Sequence, residues 1–221
     1  MMPRPAQILL PVVLALAGCS NLSGTLVQLD EKAPLAAASA ASAAPAGQVI
    51  PASQAPLIGP GASIVLPKPR EMGRSLEVVQ LVTLRFGGQS LTFDARLSVT
   101  PDRLVLVGID GMGRRAMTVV WNGETMTVET APWLPSAARP TSMLSDVVVL
   151  YFPTGAVRQA LAAAGCELAT TKRTRVVHCG EADVIQAEYD EGSSARWNGK
   201  LRYRNLAWGY EAEVRSAELK R

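Results

Sequence analysis

Histidine is almost missing from this chain: among 221 residues there is one, His178. A Ser-His-Asp arrangement or a multi-histidine metal site therefore has almost no material to build from. Cysteine is scarce, with 3 in all, and aromatic residues make up only 5% of the sequence. Charge of either sign barely dominates, since 22 Lys and Arg stand against 19 Asp and Glu for a formal net charge of +3. That excludes the strongly basic surface of a nucleic-acid-binding protein. The densest basic group, "KRTR" at residues 172–175, has no interleaved aromatics on which bases would stack and reads as a solvated hairpin tip. "GIDGMG" at residues 108–113 lacks the lysine and the following helix of a phosphate loop. Asp146, Asp183 and Glu188 are available carboxylates, yet no spacing pairs them for acid–base work. With no catalytic set, no metal-ligand cluster and no cofactor motif, the expectation is a protein that is not an enzyme.

Long apolar runs are also missing. The run at residues 8–17 is about ten residues long, half of the roughly 20 that a membrane span needs. It follows a single cation, Arg4, and ends in the small residues Ala17 and Gly18, which is the pattern of a secretory signal. "LAGC" at residues 16–19 resembles the lipobox of bacterial lipoprotein precursors. Cleavage after residue 18 would leave Cys19 as a lipid-carrying N-terminus, and a lipoprotein of this class carries three acyl chains, enough for lasting anchorage. The next residue is Ser20 rather than Asp, which favours the periplasmic face of the outer membrane of a Gram-negative bacterium.

Residues 19–69 are rich in Ala, Ser, Pro and Gly and show no periodicity. Such a tract cannot bury enough apolar area to offset its chain entropy. We expect a lipidated, disordered tether of roughly 50 residues, reaching on the order of 40 Å, and a folded domain at residues 70–221.

Within that domain the apolar residues alternate. "SLEVVQLVTLRF" puts Leu76, Val78, Val82, Leu84 and Phe86 on one face, and "LTFDARLSV" does the same with Leu91, Phe93, Ala95, Leu97 and Val99. Turn signals at "GGQ", "TPD", "GMGRR" and "NGE" divide the stretch up to residue 130 into an antiparallel meander of five strands. Two short helices follow, one opening near Thr141 and one with Thr154 as N-cap and Gly165 as its stop. Five more strands run from residue 167 to 219. The fold class is mostly β (α+β): about ten strands in a single large, mostly antiparallel sheet, with the two short helices and the sheet's own curl as the lid over its apolar face.

A sheet rolled partly around a helical plug leaves an apolar groove that suits a greasy ligand, unless the core fills itself completely. The inward set Leu84, Phe93, Leu97, Leu104 and Leu106, with Met143, Leu144 and Val148 from the lid, are the candidate cavity residues. In the competing reading the domain is an interaction module that binds an envelope protein through a sheet edge or through Trp133, Trp197 or Trp208.

The remaining cysteines lie in "CELATTKRTRVVHC". With Lys172 and Arg173 at the centre of a hairpin, paired positions sum to 345 and Cys166 falls opposite Cys179, on a non-hydrogen-bonded pair where side chains come closer. A cross-strand disulfide is expected, the alternative being two buried thiols. His178 reads as a strand residue beside it.

"GRSL", "TPDRLVLVGIDGMGRR", "WNGE", "WLP", "SDVVVLYFP" and "WGYE" occur in order across residues 70–218, and together they resemble the DUF3261 family of Gram-negative lipoproteins. That family is similar in fold to LolA and LolB, the carrier and receptor of acylated lipoproteins, each an open antiparallel half-barrel of about eleven strands. The resemblance implies a cavity for an acyl chain, a polyene lipid or an acylated lipoprotein, with transfer at the membrane surface. It implies no catalytic residue.

Overall fold

The computed structural model describes residues 47–51, 54, 56–135, 138–190 and 196–220. The signal segment, Cys19 and most of the expected tether lie outside the described residues. The chain begins with β1 (Gln48–Pro51), a hairpin of β2 (Leu57–Gly59) and β3 (Ala62–Ser63), and a 3-10 turn at Pro69–Met72. A meander follows: β4 (Leu76–Phe86), β5 (Gln89–Val99), β6 (Leu104–Ile109), β7 (Arg115–Trp121) and β8 (Thr125–Thr130). Helices α1 (Pro140–Tyr151) and α2 (Thr154–Ala162) come next. A second meander closes the fold: β9 (Cys166–Thr170), β10 (Thr174–Cys179), β11 (Ala182–Tyr189), β12 (Gly199–Asn205) and β13 (Tyr210–Glu218).

All but β2 and β3 join one 11-stranded sheet in the order β1-β8-β7-β6-β5-β4-β13-β12-β11-β10-β9, and every pairing is antiparallel. The two meanders meet at β4 and β13, and β1 and β9 are the open edges. The helices carry the chain from one side of the sheet to the other. On the way α1 packs against β7 and is hydrogen-bonded by side chains of β4, β10, β11, β12 and β13, so the sheet curls around it as an open half-barrel.

Alternation produces the strands as expected. In β5, Ala95, Leu97 and Val99 are buried while Asp94 and Arg96 are exposed. Helix α1 has no such division, because residues 144–151 are all buried. A helix apolar on nearly every side belongs in a core. Its C-terminal carbonyls lack intrahelical partners and are met from the sheet: Arg175 donates from Nη1 to the Val149 carbonyl (2.6 Å) and from Nη2 to that of Phe152 (2.8 Å). Tyr189 donates from its hydroxyl to the Leu150 carbonyl (2.6 Å).

Three expectations need correction. Arg175 is not part of a solvated tip: it is 1% exposed, because strand alternation turns it inward with Val177, while Lys172 and Arg173 form the exposed tip. The tether does not run unstructured to residue 69. β1 pairs with the edge of β8, and Ile58 and Ile64, from the short apolar groups at residues 57–58 and 64–66, are fully buried, so brief apolar groups are enough where a sheet edge and a helix are already present. Thr154 is the first residue of α2 rather than its N-cap; extended Pro153 holds that place, and its carbonyl accepts from the Val157 amide. Gly165, at φ +64, takes up the left-handed conformation expected of a helix stop.

Cys166 and Cys179 form a disulfide across β9 and β10 in the expected register, with Cα atoms 4.3 Å apart. Lys-Arg is poor chemistry for the tight turn between them, and Thr171 compensates, its Oγ1 accepting from the amides of Arg173 and Thr174. Reducing this bridge, which spans 13 residues, should lower stability by about 3 kcal/mol, read as a lower urea midpoint. Arg175→Met should lose about 2–4 kcal/mol by leaving two buried carbonyls unpartnered, and Arg175→Lys should not restore it, since an ammonium cannot reproduce the fork.

Candidate functional site

Helix α1 does not fill the concave face. Between it and the central strands lies a cavity of about 190 Å³, larger than the roughly 150 Å³ apolar void that can hold a benzene ring. Alternate positions of β4 (Val82, Leu84, Phe86) and β5 (Phe93, Ala95) form one wall, with Leu106 of β6 and Met117 of β7 beside them. β13 adds Ala212 and Val214. Met143, Val147 and Leu150, spaced to share one face of α1, form the roof. The larger recesses on the outer face of the sheet are lined by charged side chains such as Arg85, Arg96, Glu188 and Glu213.

Four of the expected cavity residues, Leu84, Phe93, Leu106 and Met143, line this space. The other four, Leu97, Leu104, Leu144 and Val148, are buried in the packed core next to it. Phe93 and Leu97 lie on the same face of one strand, but at Leu97 the core has closed. Trp208 lines the cavity, Trp197 is buried against Tyr151 with ring centroids 4.3 Å apart, and Trp133 is exposed with the Arg114 guanidinium over its ring. The three candidate carboxylates do not meet. Asp183 pairs with His178, which sits on β10 beside the disulfide as expected; Glu188 lies near Arg173 on the outer face; Asp146 alone lines the cavity. Among the described residues no group of His, Cys, Asp and Glu side chains could hold a metal ion, and no helix is long and apolar enough to cross a membrane.

The polar side chains of the cavity were not foreseen. Asp146 Oδ1 accepts from the Tyr203 hydroxyl at 2.5 Å, and Oδ2 accepts from the Tyr210 hydroxyl. Asn205 donates to the Tyr203 oxygen (3.2 Å) and to the Ile58 carbonyl (3.0 Å), tying the cluster to β2. At the other end of the helix Gln80 donates to the Tyr151 hydroxyl (3.0 Å) and to Ser216 Oγ (2.9 Å). The available signals were Gln80 interrupting the apolar face of β4 and Asp146 interrupting an apolar helix. At the cavity mouth Arg139, in a left-handed conformation just before α1, lays its guanidinium 3.7 Å from the centroid of the Trp208 ring.

Burial pushes the Asp146 carboxyl up to about 6, with the hydrogen bonds from the Tyr203 and Tyr210 hydroxyls acting in the opposite direction. None of the described basic side chains forms an ion pair with it. Because the folded protein binds this proton more tightly than the unfolded chain, the contribution to stability is full below about pH 4 and is lost as pH rises through about 6, on the order of 3 kcal/mol in total. Asp146→Asn should remove this slope from urea midpoints measured between pH 4 and 7.

Residues 77–218 match the family described as "Protein of unknown function (DUF3261)". No curated protein matches the sequence. Among solved structures, a LolA superfamily protein from Nitrosomonas europaea is 7% identical, with 78% of this chain and 94% of that chain covered and a TM-score of 0.37. A DUF1329 family protein from Desulfovibrio piger is 11% identical, covering 67% of this chain and 87% of that chain with a TM-score of 0.25. The family match spans well over half of the sequence, and the chain belongs to the DUF3261 family.

Proposed function

We propose that this protein is a lipid-anchored lipoprotein of the outer membrane that shelters the chain of an acylated or polyene lipid, or of an acylated lipoprotein, and passes or receives it at the periplasmic face. The observation that carries this reading is the cavity beneath α1, with apolar walls and a mouth at Arg139. The mechanism is burial without bond making. An alkyl segment with about 200 Å² sheltered gains roughly 5 kcal/mol at 25 cal/mol per Å², before the costs of ordering it. That holds a chain and still lets it leave for a better site. Lipid on Cys19 would keep the domain at the membrane, and the tract that follows would give it reach.

A second reading, docking of an envelope protein, is supported by exposed Trp133 and by the neighbouring turn that carries Met112, 73% exposed. The two are separated by native mass spectrometry and lipid extraction on the full chain carrying Cys19→Ala. Carriage predicts co-purified acyl or polyene species that disappear in Phe93→Glu while thermal unfolding stays cooperative. A ligand-free mass that takes up no added lipid overturns carriage. Metabolic labelling with palmitate, expected for the native chain and abolished by Cys19→Ala, tests the anchor.

A further inference from the structure

A carboxylate on the wall of an apolar cavity restricts what can enter. Asp146 is 6% exposed, lies on the cavity face of α1 between Ser142 and Leu150, and uses one lone pair on each oxygen to accept from Tyr203 and Tyr210. A carboxylate offers about four acceptor positions, so capacity remains for a further donor. The only basic side chain among the described lining residues is Arg139, and it is exposed at the mouth on the Trp208 ring. Arg139 forms no ion pair with Asp146.

The geometry points to a cavity that selects an amphiphile by its head: a hydrogen-bond-donating group, protonated amine or hydroxyl, received by Asp146, in preference to a carboxylate or phosphate. This rests on the reading of the cavity as a ligand site and adds the chemical class of the ligand. An anionic head would place like charges together in a space of low dielectric, where repulsion is strongest. Within the cluster an acceptor-only head would find no free donor, because both phenols already give their protons to Asp146; the donors left on the wall lie outside it, at the unpartnered Trp208 indole N–H and the Ser142 hydroxyl. A donating head supplies the hydrogen bond that the carboxylate has room for, while its chain lies against Phe93, Leu106 and Met117. The same cluster ties α1 to β12 and β13, but a purely structural tie carries no preference among head groups.

The test is calorimetric titration of the full chain carrying Cys19→Ala, at pH 7.5, with octylammonium, 1-octanol and octanoate. Octylammonium and octanol should bind at least tenfold more tightly than octanoate, and Asp146→Asn should reduce that ratio to less than about threefold. Should Asp146→Asn not fold, Tyr210→Phe serves instead: it frees one carboxylate oxygen and should widen the preference for octylammonium over octanoate. Equal binding of the three heads, or a preference that survives Asp146→Asn or is unchanged in Tyr210→Phe, overturns the head-group inference and leaves chain binding intact. Absence of binding by all three to a folded chain overturns both.

Discussion

A 12-residue helix such as α1 rises about 18 Å and is about 10 Å across, whereas an 11-stranded sheet with strands about 4.8 Å apart spreads over roughly 50 Å when flat. One helix cannot cover the apolar face of a flat sheet that wide. The sheet has to curl until its two halves approach the same plug, and the contacts of α1 with strands from both meanders are the result. The cavity follows from the same constraint. The central strands β4, β5 and β13 are the longest, at 11, 11 and 9 residues, and they extend past what the helix can fill.

Apolar packing is non-directional, so it does not by itself fix where along its axis the plug rests. The polar contacts do. Arg175 and Tyr189 hold the carbonyls of residues 149, 150 and 152, and Gln80 holds Tyr151, so four groups from three strands and the helix converge on its last turn. The first turn has no side-chain cap and is flanked by the Arg139 stack on Trp208. The helix is therefore anchored at the end set in the packed core, and the less anchored end stands over the cavity mouth. Asp146 lies between these regimes, bonded to β12 and β13 yet facing open space.

Much of this was legible in local pattern. The meander from β4 to β8 follows from alternation and turn residues, and the disulfide register follows from a hairpin centred between residues 172 and 173, because strand pairing is periodic and a turn fixes its phase. What escaped depends on distance along the chain. Tyr203 and Tyr210 are 57 and 64 residues from Asp146, and Arg175 is 26 and 23 from the carbonyls it holds; nothing in the local sequence marks either partnership. β1 needed an unpaired edge on β8 to exist at all. Cavity wall and core were inseparable for another reason. Phe93 and Leu97 have the same chemistry, face and strand, and only the depth of the plug distinguishes them.

The space itself opposes stability. An unfilled apolar void costs about 24 cal/mol per Å³, so one of 190 Å³ carries a cost of roughly 5 kcal/mol, comparable to the whole net stability of a small domain. Solvent entering at the mouth relieves part of this, but the walls are mainly apolar and give water few partners. The sequence could close the gap with larger side chains. At Ala95 and Ala212, on the two strands that flank β4, alanine stands where neighbouring wall positions carry Phe, Leu and Val. A chain entering the cavity replaces the missing dispersion contacts, so occupancy and folding stability are linked: whatever binds the folded state and not the unfolded chain stabilises it. Small wall residues, a plug anchored at one end and a carboxylate facing the space all act in the same direction, keeping the space beneath α1 open.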